Sequence, residues 1–172
     1  MVTLPHTEGS SHEEAHRSRG PTEDQQLLSG IAKTVFRLNG QLLSVAEDLA
    51  RPAGLTAAWW QVLATVLREP LSVADIARSI GNSRQSVQRV ADLLVDAGLA
   101  EYQANPAHRR AKLLAPADRG RSAVSAIAPA HAGLARRLRM ERGEEELRWL
   151  LTALTALSAA LETVTGEEDS SS

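Results

Sequence analysis

The stretch LSVADIARSIGNSRQSVQRVADLLVDAGLAEYQANPAHRRAKLL, residues 71–114, decides the fold. Ser72 and Asp75 have the spacing of a capping box, which predicts that a helix begins there. Gly81 interrupts the helical pattern nine residues after Ser72, and Ser83 is placed to cap a second helix. The pattern therefore predicts a helix, a tight turn and a second helix.

A hairpin is predicted after the second helix. Gly98 ends that helix, and short strands are expected at Leu99–Ala104 and Lys112–Ala115. The intervening turn starts at Asn105-Pro106 and has a basic tip. The polar residues of that tip are His108, Arg109 and Arg110.

The second helix of the pair has two chemically different faces. Its apolar residues recur at helical spacing and predict an inward face, formed by Val87, Val90, Ala91, Leu94 and Val95. The opposite face is polar and rich in hydrogen-bond donors, with Arg84, Gln85, Gln88, Arg89 and Asp92. Such a face alone is typical of any solvated helix, so the turn before it and the basic hairpin after it carry the functional argument.

Long helices are predicted on both sides of this segment. Residues 22–50 carry apolar side chains spaced three and four residues apart, from a capping box at Thr22 and Gln25 to a stop at Pro52. Residues 122–164 contain two further stretches of the same period, the first expected to bend at Pro129. We therefore divide the chain into a winged domain at 55–121, flanking helices at 22–50 and 122–164, and disordered tails at 1–21 and 165–172.

Composition excludes several classes of protein. The chain has 172 residues, a net charge of −2, 43% hydrophobic residues and no cysteine, which fits a globular domain without disulfide or thiol chemistry. The longest uncharged apolar run, Trp149–Leu161, has 13 residues, short of the roughly 20 that a membrane-spanning helix needs. The N-terminus has no secretory signal pattern. We expect a cytoplasmic protein without a membrane segment.

The order and spacing of these elements resemble the MarR family of winged helix-turn-helix transcription regulators. The similarity spans about residues 22–164, and its most specific parts are the helix-turn-helix with the Ala-Gly-Leu step after it, the Asn-Pro-x-x-Arg-Arg hairpin, and the Gly120-Arg121 pair. The resemblance implies a mainly α fold with a small β-hairpin wing, and a homodimer joined by the terminal helices. It also implies binding to a palindromic operator in double-stranded DNA, with repression relieved by a small-molecule effector.

The resemblance also implies two sets of site residues. The DNA-binding set combines the helix-turn-helix and the wing: Ser72, Ser83, Arg84, Gln85, Ser86, Gln88, Arg89, His108, Arg109, Arg110 and Lys112. The family's effector pocket lies between the dimerisation helices and the winged domain, which implies Phe36, Asn39, Trp59, Trp60 and His131. Core packing for Trp60 and a core or interface role for His131 are the simpler interpretations.

The sequence departs from the family pattern at two places. His108 stands where the wing commonly has an Asp that would brace an arginine by a bidentate ion pair. Pro116-Ala117 replaces a Leu-Thr step, which removes a hydroxyl cap from the following helix, and Asp118 is the residue that could substitute as the cap.

The residue types suit duplex DNA. Arg binds guanine and Gln binds adenine through paired hydrogen bonds in the major groove, while wing arginines suit the minor groove or phosphates. Residues 68–121 hold nine basic and six acidic side chains, a net +3, whereas the remainder of the chain sums to −5. Only five aromatic residues are present, which argues against a single-strand or RNA reader that stacks bases.

Two other functions remain open at this point. A winged-helix module that binds proteins and does not read DNA would fit the missing wing Asp and the net acidity. His12-Glu13-Glu14-Ala15-His16 matches the H-E-x-x-H zinc motif, yet it lies in a tail with no core or third ligand, so adventitious metal affinity is the better interpretation. No catalytic triad, phosphate loop or dinucleotide motif is present, and we predict no enzyme, cofactor or metal.

Overall fold

A computed structural model describes residues 21–106 and 111–169, the last four of them by backbone alone. The protein is mainly helical with one small sheet, which confirms the predicted fold class. The elements are α1 Glu23–Ala50, α2 Ala57–Thr65, β1 Leu71–Ser72, α3 Val73–Ile80, α4 Arg84–Asp96, β2 Ala100–Gln103, β3 Leu113–Pro116, α5 Asp118–Arg142 and α6 Glu144–Asp169. The chain divides into two compact units, Met1–Leu42 and Leu43–Ser172.

The first unit contains most of α1. The predicted capping box is present, since the backbone N–H of Thr22 donates to Gln25 Oε1 (2.8 Å) and the N–H of Gln25 donates to Thr22 Oγ1 (3.3 Å). Large apolar side chains along this part of α1 are exposed, namely Leu27, Leu28, Val35, Phe36, Leu38 and Leu42. This part of the helix therefore presents an apolar surface that the residues described by the structure leave exposed.

In the second unit, α1 ends as the sequence predicted. The short 3-10 turn Arg51–Ala53 contains Pro52, and Gly54 follows with a positive φ of 72°. Glycine has no Cβ, so its backbone adopts this left-handed conformation at low cost, and Gly54 turns the chain toward α2. Thr56 then caps α2 by accepting a hydrogen bond from the N–H of Trp59 (3.2 Å).

The helices α2, α3 and α4 enclose the main core of the second unit. Its fully buried side chains come from all three helices, the sheet and α5, and include Leu63, Ile76, Leu94, Leu114 and Ile127. The inward face predicted for α4 is correct, because Val87, Ala91 and Leu94 are buried. Burying each such side chain contributes about 1.5–3 kcal/mol.

The three strands form an antiparallel sheet in the order β1-β3-β2. The predicted hairpin is β2 and β3, paired in the register Tyr102 with Leu114. The two-residue strand β1 was not predicted; it pairs with the other edge of β3, with Ser72 opposite Leu113. The wing is thereby connected to the first residue of the helix-turn-helix.

The start of α5 is fixed to the end of α4. Gly120 is buried, and a Cβ built on it would lie 2.0 Å from the carbonyl oxygen of Leu99, so only glycine fits there. The same carbonyl accepts a hydrogen bond from the N–H of Ala117 (3.0 Å). Ala117 is the N-cap and gives no side-chain bond, so the expectation that Asp118 caps this helix is wrong; Asp118 is its first residue.

The C-terminal helix α6 is longer and more apolar overall than expected. It continues to Asp169, five residues beyond the predicted end at 164. By length and composition alone, its 22-residue segment Glu144–Thr165 could cross a membrane, which the shorter uncharged run did not indicate. Its large exposed apolar residues are Trp149, Leu150, Leu151, Leu154, Leu161 and Val164.

Candidate nucleic-acid interface

The N-terminus of α4 is built by local hydrogen bonds. Gly81 turns the chain in a left-handed conformation, φ 64°, after α3. The Ser83 hydroxyl accepts a hydrogen bond from the N–H of Ser86 (3.1 Å) and donates to Ser86 Oγ (2.8 Å). Asn82 Oδ1 accepts from the N–H of Ser83 (2.9 Å). Two of the predicted DNA-binding residues, Ser83 and Ser86, therefore shape the helix start in the free protein.

The outward face of α4 is the polar face that the sequence predicted. Its exposed side chains are Arg84, Gln85, Gln88, Arg89 and Asp92. An open groove of about 650 Å³ lies against this face and is lined by Ser72, Val73, Ala74, Arg84, Gln85, Gln88, Tyr102, Ala111 and Lys112. The structure thus brings five of the predicted residues to one groove: Ser72, Arg84, Gln85, Gln88 and Lys112.

Ser72 reaches this groove with its hydroxyl already in use. It is 9% exposed, and it caps α3 by accepting from the N–H of Asp75 (3.2 Å) while donating to the carboxylate of Asp75. Asp75 in turn pairs with Arg78. The position of Ser72 in the described structure is that of a cap that fixes α3 beside α4.

A polar cluster that the sequence analysis missed connects α4 to the wing. Gln88 Nε2 lies 2.9 Å from Asp92 Oδ1 and 2.8 Å from the hydroxyl oxygen of Tyr102, and that hydroxyl donates to Asp92 Oδ1 (2.8 Å). Lys112 Nζ lies 5.7 Å from the centre of the Tyr102 ring, within the range of a cation–π contact. The i, i+4 spacing of Gln88 and Asp92 was a usable signal, but Tyr102 joins them only through the sheet.

Burial and Asp92 both act on the Tyr102 phenol. Burial, together with the hydrogen bond to Asp92 and the negative charge of Asp92, raises the pKa of Tyr102 to about 12, while the hydrogen bond from Gln88 lowers it. The phenol is therefore protonated at neutral pH, and it remains a donor to Asp92.

The wing tip is described only in part. Lys112 is exposed at the base of β3. The other three predicted wing residues, His108, Arg109 and Arg110, lie outside the described residues, as does the His12–His16 motif. Within 21–106 and 111–169, no three His, Asp or Glu side chains form a group that could hold a metal ion.

The residues predicted for an effector pocket fall in both units. Phe36 and Asn39 are exposed residues of the first unit. In the second unit, the Trp60 and His131 rings make an edge-to-face contact, with centroids 5.6 Å apart and planes at 82°. Trp59 and Trp60 are half-buried and pack against the core, whereas His131 is exposed.

Comparison with known proteins agrees with this architecture. Residues 53–111 match the family model described as the MarR family. An uncharacterized protein of Mycobacterium tuberculosis, Rv2011c, is 42% identical over 100 residues, which cover 58% of this chain and 70% of that protein.

Solved structures establish the fold. AbsC, a MarR family transcriptional regulator from Streptomyces coelicolor, aligns with a TM-score of 0.68 at 22% identity, covering 85% of this chain and 99% of its own. A mutant MarR from E. coli, crystallised with operator DNA, aligns with a TM-score of 0.66 at 18% identity over 74% of this chain and 93% of its own. Since its winged domain matches the family model and its fold matches solved members, the chain belongs to the MarR family of winged helix-turn-helix transcription regulators.

Proposed function

We propose that the protein is a homodimeric, sequence-specific regulator that binds a palindromic operator in duplex DNA and represses transcription until a small-molecule effector releases it. The observation that carries this proposal is the groove beside α4. A capped helix presents Arg84, Gln85 and Gln88 there, next to Lys112 of the wing.

The chemistry of that face supports recognition of the major groove. An α-helix fits the major groove, and side chains near its N-terminus reach the base edges. Arg84 is the first residue of α4 and is exposed, so its guanidinium is free to bond guanine O6 and N7 together. Lys112, and the wing arginines Arg109 and Arg110, would hold flanking phosphates or the minor groove.

The apolar surfaces of α1 and α6 support a homodimer. Leu28 and Leu42 are exposed in the first unit, and Leu154 and Leu161 are exposed in the second. Long helices with apolar side chains at three- and four-residue spacing associate through those side chains. A second copy of the chain would cover these surfaces and give two recognition helices related by a two-fold axis, as a palindromic operator requires.

Relief by an effector is supported by the aromatic pair in the second unit. Trp60 and His131 offer an apolar ring and a hydrogen-bonding ring side by side, which suits a small aromatic or acidic molecule. A ligand that binds one spacing of the recognition helices more tightly than another shifts the population toward that spacing. The size of this shift is set by the difference between the ligand's affinities for the two states.

Selection of binding sites from a random duplex library at near-physiological salt tests this function. We expect a palindrome with half-sites about 10 bp apart, bound with an affinity that falls steeply as salt is raised. Recovery of no motif, with only salt-labile general binding, would contradict sequence-specific regulation and favour a winged-helix module that binds proteins.

Variants of Arg84 and Arg109 separate base reading from phosphate binding. Arg84→Ala should cost about 1–3 kcal/mol on the operator and relax one base position. Arg84→Lys is the matched control, because it keeps the charge but loses the paired hydrogen bonds, so it should also relax that position while preserving the salt slope. Arg109→Ala should instead weaken binding to all sequences and reduce the salt slope by about one. Equal losses on operator and random DNA for Arg84→Ala would contradict its role.

A further inference from the structure

We propose that Tyr102 is a specificity-determining positioning residue: together with Asp92 it holds the Gln88 amide by its nitrogen, so that Gln88 offers DNA its carbonyl oxygen. This inference rests on the proposed function. It assigns a role in sequence reading to a wing-strand residue that need not touch a base.

The three side chains form a closed set of hydrogen bonds. Gln88 Nε2 lies within 2.9 Å of both Asp92 Oδ1 and the Tyr102 hydroxyl, and those two oxygens lie 2.8 Å apart. A carboxylate only accepts hydrogen bonds, so the amide of Gln88 must turn its nitrogen toward Asp92. The Tyr102 hydroxyl has one proton, which it donates to Asp92, and it can accept from Gln88 through a lone pair.

The amide oxygen is left as the end available to DNA. Within residues 21–106 and 111–169, no group donates to Gln88 Oε1. Gln88 is exposed and lines the groove. An outward carbonyl accepts from an exocyclic amino group, which cytosine N4 and adenine N6 both supply in the major groove. Paired recognition of adenine also needs an amide N–H at adenine N7, and the hold on the nitrogen opposes that arrangement.

The position of Tyr102 is fixed independently of Gln88. Tyr102 pairs with the buried Leu114 across the sheet, and its ring packs against the core. The Lys112 ammonium group lies near the ring as well. Because the phenol is anchored by the sheet, it sets the orientation of Gln88 and is not simply carried along by it.

Binding-site selection with the full chain and its variants tests the inference. For the wild type, we expect one operator position to accept cytosine and adenine comparably. Tyr102→Phe keeps the ring but frees one of the two N–H groups of Gln88, while the bond to Asp92 remains. The freed N–H can bond adenine N7, so we expect the adenine preference at that position to rise about tenfold, with the other positions unchanged. Asp92→Asn is a second variant that should alter the same position, because its side-chain amide can donate and thus lets Gln88 turn over.

Double variants show whether Tyr102 acts through Gln88. In a Gln88→Ala background, Tyr102→Phe should change no base preference. In a Gln85→Ala background, the matched control on the same exposed face, the shift toward adenine should persist. If Tyr102→Phe leaves the wild-type motif unchanged, weakens all sequences equally, or acts undiminished without Gln88, the inference is wrong while the proposed function stands. If the wild type selects no motif at all, the proposed function fails and this inference fails with it.

Discussion

Tyr102 is the only tyrosine of the chain, so its ionisation can be followed by ultraviolet absorbance without assignment. We expect it to titrate near pH 12, well above its ordinary value of 10, because burial and then Asp92 raise its pKa. Asp92→Asn should lower the midpoint, since it removes the carboxylate charge. A midpoint that Asp92→Asn leaves unchanged would contradict the hydrogen-bonded cluster.

The same shift has a consequence for stability. A pKa raised in the folded state means that the folded protein keeps a proton which the unfolded chain loses from about pH 10 upward. The contribution of the raised Tyr102 pKa to the free energy of unfolding is therefore fully present below pH 10 and is lost as the pH rises through about 12. The difference in unfolding free energy between wild type and Tyr102→Phe should shrink across that interval in urea titrations.

Gly120 gives a sharper prediction of stability. Gly120→Ala would place a methyl group 2.0 Å from the carbonyl oxygen of Leu99, and that carbonyl is held by the N–H of Ala117. We expect a loss of about 1–3 kcal/mol or more in urea unfolding, because the backbone must shift. Gly133→Ala in the same helix is the control: its nearest neighbour is 4.0 Å away, so it should be neutral or stabilising by up to about 1 kcal/mol. Equal effects of the two changes would contradict the close approach.

At the level of elements, Glu47 connects the end of α1 to the start of α2. Its Oε2 accepts a hydrogen bond from the N–H of Ala57 (2.7 Å), one of the backbone donors that α2 leaves unpaired at its N-terminus. Glu47→Ala should cost about 0.5–2 kcal/mol, as the loss of a helix cap does, and Glu47→Gln should cost less because it keeps an acceptor.

Asp48→Ala serves as the matched control for that change. Asp48 is exposed, and its ion pair within the described part of the chain is with the exposed Arg51, so its removal should cost at most about 1 kcal/mol. Thermal or urea unfolding of the three variants measures the order of these effects. A loss for Asp48→Ala that equals or exceeds the loss for Glu47→Ala would contradict the capping role of Glu47.

The elements differ in how far the sequence could predict them. The helices α3 and α4 begin where Ser72 and Ser83 predict, because a cap and its partner are three residues apart and form locally. The strand β1 has two residues, too few to show a period, and exists only because β3 lies beside it. Tyr102 was missed for the same reason: its partners are 10 and 14 residues away along the chain.

At the scale of the whole molecule, the exposed apolar side chains of α6 predict association. Leu154→Glu places a charge on that surface and should convert the proposed dimer to a monomer in sedimentation velocity. Ala159→Glu, an exposed position on another side of the helix, is the control and should leave the dimer intact. A wild-type protein that sediments as a monomer would overturn the dimer, and one recovered only with detergent would point to α6 in a bilayer.

The general class of the molecule was accessible from its sequence because several independent patterns agreed. The paired helices, the hairpin and the flanking long helices together resembled a family of winged helix-turn-helix regulators. Membership of the MarR family, whose members are not enzymes, agrees with that prediction. Ser72 shows what could not be predicted from the sequence. Its residue type and the family resemblance suggested a contact with DNA, but only the folded chain shows its hydroxyl bonded to Asp75.

The junction at Leu99 fixes one end of α5, so a small rotation there moves the other end of the helix much further. Three hydrogen bonds hold its first turn: Ala117 N–H to Leu99, and the side chains of Arg119 and Arg121 to the carbonyls of Ala97 (3.0 Å) and Leu67 (3.2 Å). The helix continues through Pro129 to Arg142, 25 residues in all, which is about 37 Å measured along its axis at 1.5 Å per residue. A rotation of about 5° at the junction moves the far end by about 3 Å, the length of one hydrogen bond. A tilt of α4 that turns this junction by such an angle would therefore be amplified at the distal end of α5.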